Sequence, residues 1–373
     1  MKKNDKIPIL GQNLARGDSC SKIAYEWALQ SFNNRSRSDG DILCNEGHRS
    51  AASFSTVVSF NPDIKIGITA DGIGTKIEVA ERFKRYDTLG FDLVAMVVDD
   101  LVANGIEPTN LSNILDVDVL DQVVIDELMK GLYKAANVAK IAVVGGEIAE
   151  LGTRVSGYGE GMHFNWSATA IGKLVSNHII DGKEIVAGDQ IITLKEKGLR
   201  SNGFTLARDI LTKSFGHDWH KEWGEELLIP STIYAHLIIK LIKENFPIKG
   251  ISHITGGSFQ NKLGRVLKRT QELSAELSDL FPPPDMVLKL QQLGDISDYR
   301  AYQHWNMGNG MLLVVDKKRA IEIVDRINAD EEFEGTRPIA QIAGEITADK
   351  NNQKRKIVIH SKATKRDIFI YEY

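Results

Sequence analysis

At 373 residues the chain is longer than one ordinary hydrophobic core supports, so two domains are expected. Its 42% hydrophobic and 26% charged residues are those of a soluble globular protein, and a net charge of -4 gives no electrostatic basis for a nucleic-acid partner. Two cysteines, Cys20 and Cys44, exclude a disulfide framework and lack zinc-type spacing, and no apolar run reaches the length of a membrane span.

The start, Met1-Lys2-Lys3-Asn4-Asp5-Lys6, has no apolar signal-peptide core, so a cytosolic location is expected. A polar, Ser/Asn/Arg-rich stretch follows, predicting a short helix over 21–32 and a loop over 31–40. From Ser55 onward short strands alternate with helices. Strands are predicted at 55–60, 65–70, 141–144 and 166–171, and helices at 75–86, 92–104 and 121–139. Turn residues between Gly172 and Gly188 break the pattern, and a second series begins with a strand at 190–194. Helices at 205–213 and 231–245, a strand at 250–254 and a helix at 260–269 follow. Phe281-Pro282-Pro283-Pro284 is a stiff connector. A strand at 311–315, a helix at 317–328 and strands near 339–346 and 356–360 complete the series. The expectation is an α/β protein of the α+β type, with two mixed α/β domains at 1–174 and 175–361 and an exposed tail at 362–373.

The first chemical signal is Asp71-Gly72-Ile73-Gly74-Thr75-Lys76, between a strand and a helix. Its glycines let the backbone approach a ligand, the helix start attracts anions, Asp71 can hold a metal and Lys76 can offset phosphate charge. It is neither a Walker A loop nor a dinucleotide fingerprint. The second signal is the helix carrying Asp92, Asp99 and Asp100 around the apolar run Leu93-Val94-Ala95-Met96-Val97-Val98. Seven residues bring Asp99 back to the face of Asp92, about 10 Å along the axis. Carboxylates on a buried helix need cations or a metal. The plainer alternative is an N-cap for Asp92 and a helix end for the other two. Together with Asp71 they suggest a magnesium–nucleotide site.

The third signal is Val143-Val144-Gly145-Gly146-Glu147, a strand running into glycines and a carboxylate. The second half adds Gly198-Leu199-Arg200-Ser201-Asn202-Gly203, then His253-Ile254-Thr255-Gly256-Gly257-Ser258, then Asn306-Met307-Gly308-Asn309-Gly310. Arg200, Ser201 and Asn202 suit phosphate or carboxamide recognition, and His253 is a candidate acid/base. The other histidines show no metal-ligand spacing. Trp219 and Trp223 fit a core better than a base-stacking platform.

In this order the motifs resemble the phosphoribosylformylglycinamidine cyclo-ligase (aminoimidazole ribonucleotide synthetase) family, from about Thr69 to Met311 and more weakly to about His360. The segment Leu228-Ile229-Pro230-Ser231-Thr232-Ile233-Tyr234 belongs to the same series. The resemblance implies ATP-dependent ring closure of formylglycinamidine ribonucleotide to aminoimidazole ribonucleotide, ADP and phosphate in purine biosynthesis. It also implies a homodimer in which the N-terminal domains build a shared barrel, and a C-terminal α/β sandwich. Asp71, Asp100 and Glu147 would hold Mg2+. Asp71, Gly72, Gly74, Thr75, Lys76, Asp92, Asp99, Gly145 and Gly146 would line the ATP site. Ser201, Asn202, Gly203, Thr255, Gly256 and Gly257 would take the substrate, with His253, Lys76 and Arg200 as catalytic candidates.

The chain departs from the family pattern at several points. The loop Gly40–Gly47 is glycine-poor, Asp99 stands where the family has Asn, Arg200 stands where it has His, and Asp18 is only a weak match. The alternatives are a diverged relative that phosphorylates another amide or acid, and a non-catalytic paralogue.

Overall fold

The computed structural model describes residues 55–61, 64–176, 178–268, 273–333, 335–348 and 355–373. The predicted helix at 21–32, the loop at 31–40, the Gly40–Gly47 segment, Asp18 and both cysteines lie outside the described residues.

Two sheets organise these residues. The first contains β1 (Thr56–Asn61), β2 (Ile64–Gly72), β3 (Ile106–Val117), β4 (Ala142–Glu150) and β5 (Phe164–Leu174), in the order β1-β2-β5-β3-β4. Only β3 and β4 run parallel; the other neighbours are antiparallel. β5 shows why the sheet has an inside and an outside. Phe164, Trp166, Ala168 and Ala170 are buried, while Asn165, Ser167, Thr169 and Ile171 are exposed, the two-residue period of a strand covered on one face. Helices α1 (Ile77–Phe83), α2 (Leu89–Val102) and α3 (Gln122–Ala139) belong to the same half. α2 lies on the inner face, against β2, β5 and β3. Every residue from Leu93 to Asp99 is buried, as its all-round apolar pattern requires.

The second sheet contains β6 (Gln190–Lys195), β7 (Ile248–His253), β8 (Leu273–Leu277), β9 (Asn309–Val315), β10 (Ala340–Ala348), β11 (Lys356–His360) and β12 (Ile368–Glu372). Their order is β12-β11-β8-β10-β6-β9-β7. Its helices are α4 (Phe204–Phe215), α5 (His220–Leu227), α6 (Ala235–Lys243), α7 (Ser258–Leu267), α8 (Asp285–Leu293), α9 (Asp298–His304) and α10 (Ala320–Asn328). β9 is buried at every position, which marks a strand covered on both faces. α2 also touches α6 and β7, so one buried helix packs against both halves.

Several elements depart from expectation. β3 carries Pro108, Asn110 and Asn113, poor strand formers that hide its alternation, yet it forms because it is sandwiched between β5 and β4. β4 extends to Glu150, so Glu147 sits within a strand and not at the end of one. The expected tail contains β12, which pairs with β11; Tyr371 is fully buried and its hydroxyl donates to the Tyr299 carbonyl. The short helices α5, α8 and α9 were not expected. Trp219 and Trp223 are both core residues, at 1% and 8% exposure. Among the described residues no helix is long and apolar enough to cross a membrane.

Candidate functional site: glycine turns beside a buried ion-pair layer

The turn after β2 meets two turns of the second half. Gly74 has φ +70°, a left-handed conformation that favours glycine, and a Cβ there would lie 3.7 Å from the Ser201 carbonyl oxygen. Thr75 Oγ1 is 3.5 Å from Thr205 Oγ1 on α4. On the other side, a Cβ on Gly256 would stand 3.0 Å from Asn202 Oδ1. The predicted substrate-side residues Ser201, Asn202 and Gly256 are thus beside the predicted nucleotide turn. Ser201 Oγ and Asn202 Nδ2 are buried and have no hydrogen-bond partner among the described residues. A native protein rarely leaves such donors unmet unless a ligand or water completes them. Gly203 and Gly257 bend the chain into α4 and α7, each with φ +78°. Thr255 is buried beneath the second turn.

Asp71 accepts from the Gly72 amide at 2.7 Å and lies close enough to Asp100 to feel its charge. Although Asp71 is open to solvent, desolvation by the protein packed around it and then repulsion by Asp100 raise its pKa; the Gly72 amide and Lys262 oppose the rise. Lys262, on α7, is held below the usual lysine range first by desolvation, with Asp100 and Asp71 pulling the other way. Sequence reading passed over Lys262. No local motif marks it, and only the meeting of the two halves brings it within range of the two carboxylates.

Beside these turns lies a layer of buried charge. Lys76 Nζ donates to Asp92 Oδ1 at 2.9 Å and to the Ile229 carbonyl at 2.7 Å, with both side chains fully buried. Asp92 Oδ1 also accepts from Ser231 N (3.1 Å) and Ser231 Oγ (2.5 Å). Two turns along α2, Asp99 Oδ1 accepts from Tyr234 N at 3.0 Å and Asp99 Oδ2 from Arg200 Nη2 at 2.8 Å. The spacing is matched on both sides. Seven helical residues and three extended residues each cover about 10 Å, so Asp92 and Asp99 clip the 231–234 segment along the helix. Arg200 Nη1 donates to Glu196 Oε2 and to the Thr232 carbonyl, both at 2.8 Å. Arg200 Nη2 is also 2.8 Å from His253 Nε2, and His253 Nδ1 is 2.7 Å from Asp100 Oδ1.

Burial dominates the titration of this layer. It lifts Asp99 to about 7 against the pull of Arg200, and it presses His253 down to about 4, with the Arg200 charge adding to the effect. Burial likewise moves Asp92 up and Lys76 down, each restrained by the other's charge.

These positions correct the expected roles of several residues. Lys76 and Asp92 are fully buried; they neutralise each other and, through Ile229 and Ser231, fasten the two halves together. Asp92 is not an N-cap, because α2 begins at Leu89 with Thr88 before it. Asp99 and Arg200, two of the departures from the family pattern, touch each other, so their opposite charges compensate inside the protein. His253 is fully buried between Arg200 and Asp100.

Glu147 is separated from Asp71 and Asp100. One row across the sheet runs Asp71, Ala168, Asn113, Gly146, and the next runs Gly72, Ser167, Ile114, Glu147. Asp71 and Glu147 are therefore about three strand spacings apart, about 14 Å, and on opposite faces. Among the described residues no three His, Cys, Asp or Glu side chains gather as a metal site. Gly145 and Gly146 have a local explanation. The β3–β4 register shifts between Leu111 and Ser112, and a Cβ on Gly146 would strike the Asn113 carbonyl at 2.4 Å. A separate cavity of about 200 Å3 lies behind Ser231 and Thr232, walled by Phe91, Ile233, Leu237 and Phe333, and no predicted site residue lines it.

A second titratable pair stands at the end of the first sheet. His163 Nδ1 is 2.6 Å from Asp118 Oδ2, and Asp118 Oδ1 accepts from the His163 amide at 2.7 Å. Burial opposes charge on the ring, but the Asp118 hydrogen bond and the charges of Glu81 and Asp118 outweigh it and raise the His163 pKa. A raised histidine pKa adds stability that is complete below the unfolded value of about 6.5 and is lost as pH rises through the folded value. The wild-type advantage over His163→Gln in urea midpoint should therefore be greatest at pH 5.5 and shrink toward pH 8.5. An advantage that grows with pH would contradict this assignment.

The comparisons with known proteins agree with this architecture. Residues 53–174 match the family described as AIR synthase related protein, N-terminal domain, and residues 186–355 match its C-terminal domain. A phosphoribosylformylglycinamidine cyclo-ligase of Thermococcus kodakarensis is 36% identical over 279 residues, covering 73% of this chain and 79% of the relative. The enzyme of the same name from Pyrococcus horikoshii is 36% identical over 299 residues, covering 79% and 82%. Among solved structures, a chain of a HypE–HypF complex superposes with TM-score 0.60 at 18% identity, covering 84% of this chain and 92% of that one. The hydrogenase maturation protein HypE in complex with ATP gives 0.56 at 14% identity, covering 82% and 84%. At those identities the structures speak for the fold alone. Two matched domains and relatives at this identity place the chain in the AIR synthase related family.

Proposed function

We propose that the chain catalyses ATP-dependent closure of the imidazole ring of formylglycinamidine ribonucleotide, forming aminoimidazole ribonucleotide, ADP and phosphate. The observation that carries this reading is the meeting of the Gly74, Ser201–Gly203 and Gly256–Gly257 turns around unpartnered Ser201 Oγ and Asn202 Nδ2, beside the Asp71–Asp100 pair. The cyclo-ligase relatives supply the identity of the reaction.

Chemically, the formyl oxygen takes the γ-phosphoryl group and ADP leaves. The amidine nitrogen then attacks the activated carbon, and phosphate departs as the ring closes. Such a step needs positioning and charge neutralisation more than covalent help from the protein. The turn backbones bring both reactants together, Ser201 and Asn202 orient polar groups of the substrate, and Lys262 offsets negative charge at the carboxylate end. Two neighbouring carboxylates are a donor set that suits magnesium, which commonly takes one or two carboxylates and completes its shell with phosphate oxygens and water. Asp71 and Asp100 would hold the ion, which when bound neutralises phosphate charge. Such chemistry fits a cytosolic location.

We further propose that a second copy covers the outer face of the first sheet. Ile64 and Ile114 are 49% and 50% exposed there, with Ile68 and Ile171 of the same face also open to solvent. Glu147 lies on this side, so any part it takes in cation binding is directed at the second copy. Ile114→Lys should yield a monomer by light scattering where the wild type is a dimer; a monomeric wild type would overturn the assignment.

The decisive assay combines the purified chain, ATP, magnesium and formylglycinamidine ribonucleotide. ADP and the aminoimidazole product should appear in equal amounts. ADP formed only with a different amide or acid would point to a diverged kinase-like relative, and absent ATP binding would point to a non-catalytic paralogue.

A further inference from the structure

We infer that Arg200 locks His253 in the Nδ1–H tautomer, making His253 a fixed hydrogen-bond donor that positions Asp100 and not the acid/base of the site. The argument is a count of hydrogens. A guanidinium only donates. Nη1 has two hydrogens and two acceptors, Glu196 Oε2 and the Thr232 carbonyl, each at 2.8 Å. Nη2 has two hydrogens and faces Asp99 Oδ2 and His253 Nε2, again each at 2.8 Å. His253 Nε2 must therefore carry a lone pair, since an N–H there would oppose an N–H of Arg200. The ring proton then sits on Nδ1, 2.7 Å from Asp100 Oδ1, where it donates to the carboxylate.

Both ring nitrogens are occupied and the side chain is fully buried, so His253 has no free nitrogen to offer a substrate. Arg200 cannot rotate away without abandoning Glu196 and Asp99, both fully buried. The line Glu196–Arg200–His253–Asp100 thus ties the orientation of a carboxylate on α2 to the turn after β6 and to the end of β7 in the other half. The importance of Asp100 rests on the cation-site reading above; the tautomer does not.

The test has two arms. In full-length protein with 15N-labelled histidine and no nucleotide, long-range 1H–15N correlations should show His253 protonated at Nδ1 and bare at Nε2. An Nε2–H ring or an imidazolium would overturn the inference. The second arm measures MgATP affinity by calorimetry. Partners that orient a metal ligand typically cost 10–100-fold when removed, so His253→Ala should weaken binding by at least about tenfold. His253→Asn places an amide N–H where Nδ1–H stands and should restore affinity to within about threefold of wild type. Equal loss in the Ala and Asn variants, with both folded by circular dichroism, would overturn the positioning role. Wild-type protein that shows the Nδ1–H tautomer but no MgATP affinity would sink the proposed function while leaving the tautomer standing.

Discussion

Lys76→Met should lower the unfolding free energy by about 3–5 kcal/mol, because it strands Asp92 without its cation in a fully buried site. The lost Ile229 carbonyl contact adds to the damage, since that acceptor is also left unmet. The double variant Lys76→Met/Asp92→Asn should recover much of the loss. Asparagine keeps an acceptor for the Ser231 amide and hydroxyl while removing the uncompensated charge. Urea midpoints of the wild type, both single variants and the double variant close the cycle. If Lys76→Met instead kept wild-type stability and lost only turnover, the lysine would be a phosphate contact after all.

Asp71→Asn should behave in the opposite way: turnover falling by at least about 100-fold with the fold intact. Asp71 is exposed to solvent, and its Oδ1 contact with the Gly72 amide can be kept by asparagine. Removing its charge also removes repulsion with Asp100, so stability should hold within about 0.5 kcal/mol of wild type or rise slightly. Turnover near the wild-type level would overturn its assignment as a cation ligand. Set side by side, Lys76 and Asp71 separate two functions of one six-residue turn, which fastens the halves with its last residue and, in the function proposed above, faces the ligand with its first.

Much of the architecture was legible in the chain because it is written locally. β5 alternates without interruption, α2 is apolar on every side, and each glycine turn stands between a strand and a helix. β3 was illegible because Pro108 and two asparagines obscure its period, and its stability comes from neighbours on both sides. β12 was illegible because a five-residue edge strand acquires its burial only from β11 and from the aromatic contacts of Tyr371 with Tyr299 and Phe369.

The same division runs through the site. Sequence alone identified the glycine turns, the acids of α2 and His253 as an unusual set, since charged residues in apolar surroundings demand partners wherever they occur. It could not say which partners. Arg200 finds Asp99 across 101 residues and His253 finds Asp100 across 153, pairings that exist only once α2 docks against the second half. The face on which Glu147 emerges depends on a register shift between β3 and β4, and in a strand one residue of register reverses the side chain. Residue type determined what chemistry was available at the site. Tertiary packing decided which charges are spent within the protein and which remain for a ligand, because that choice is made by distances no local pattern encodes.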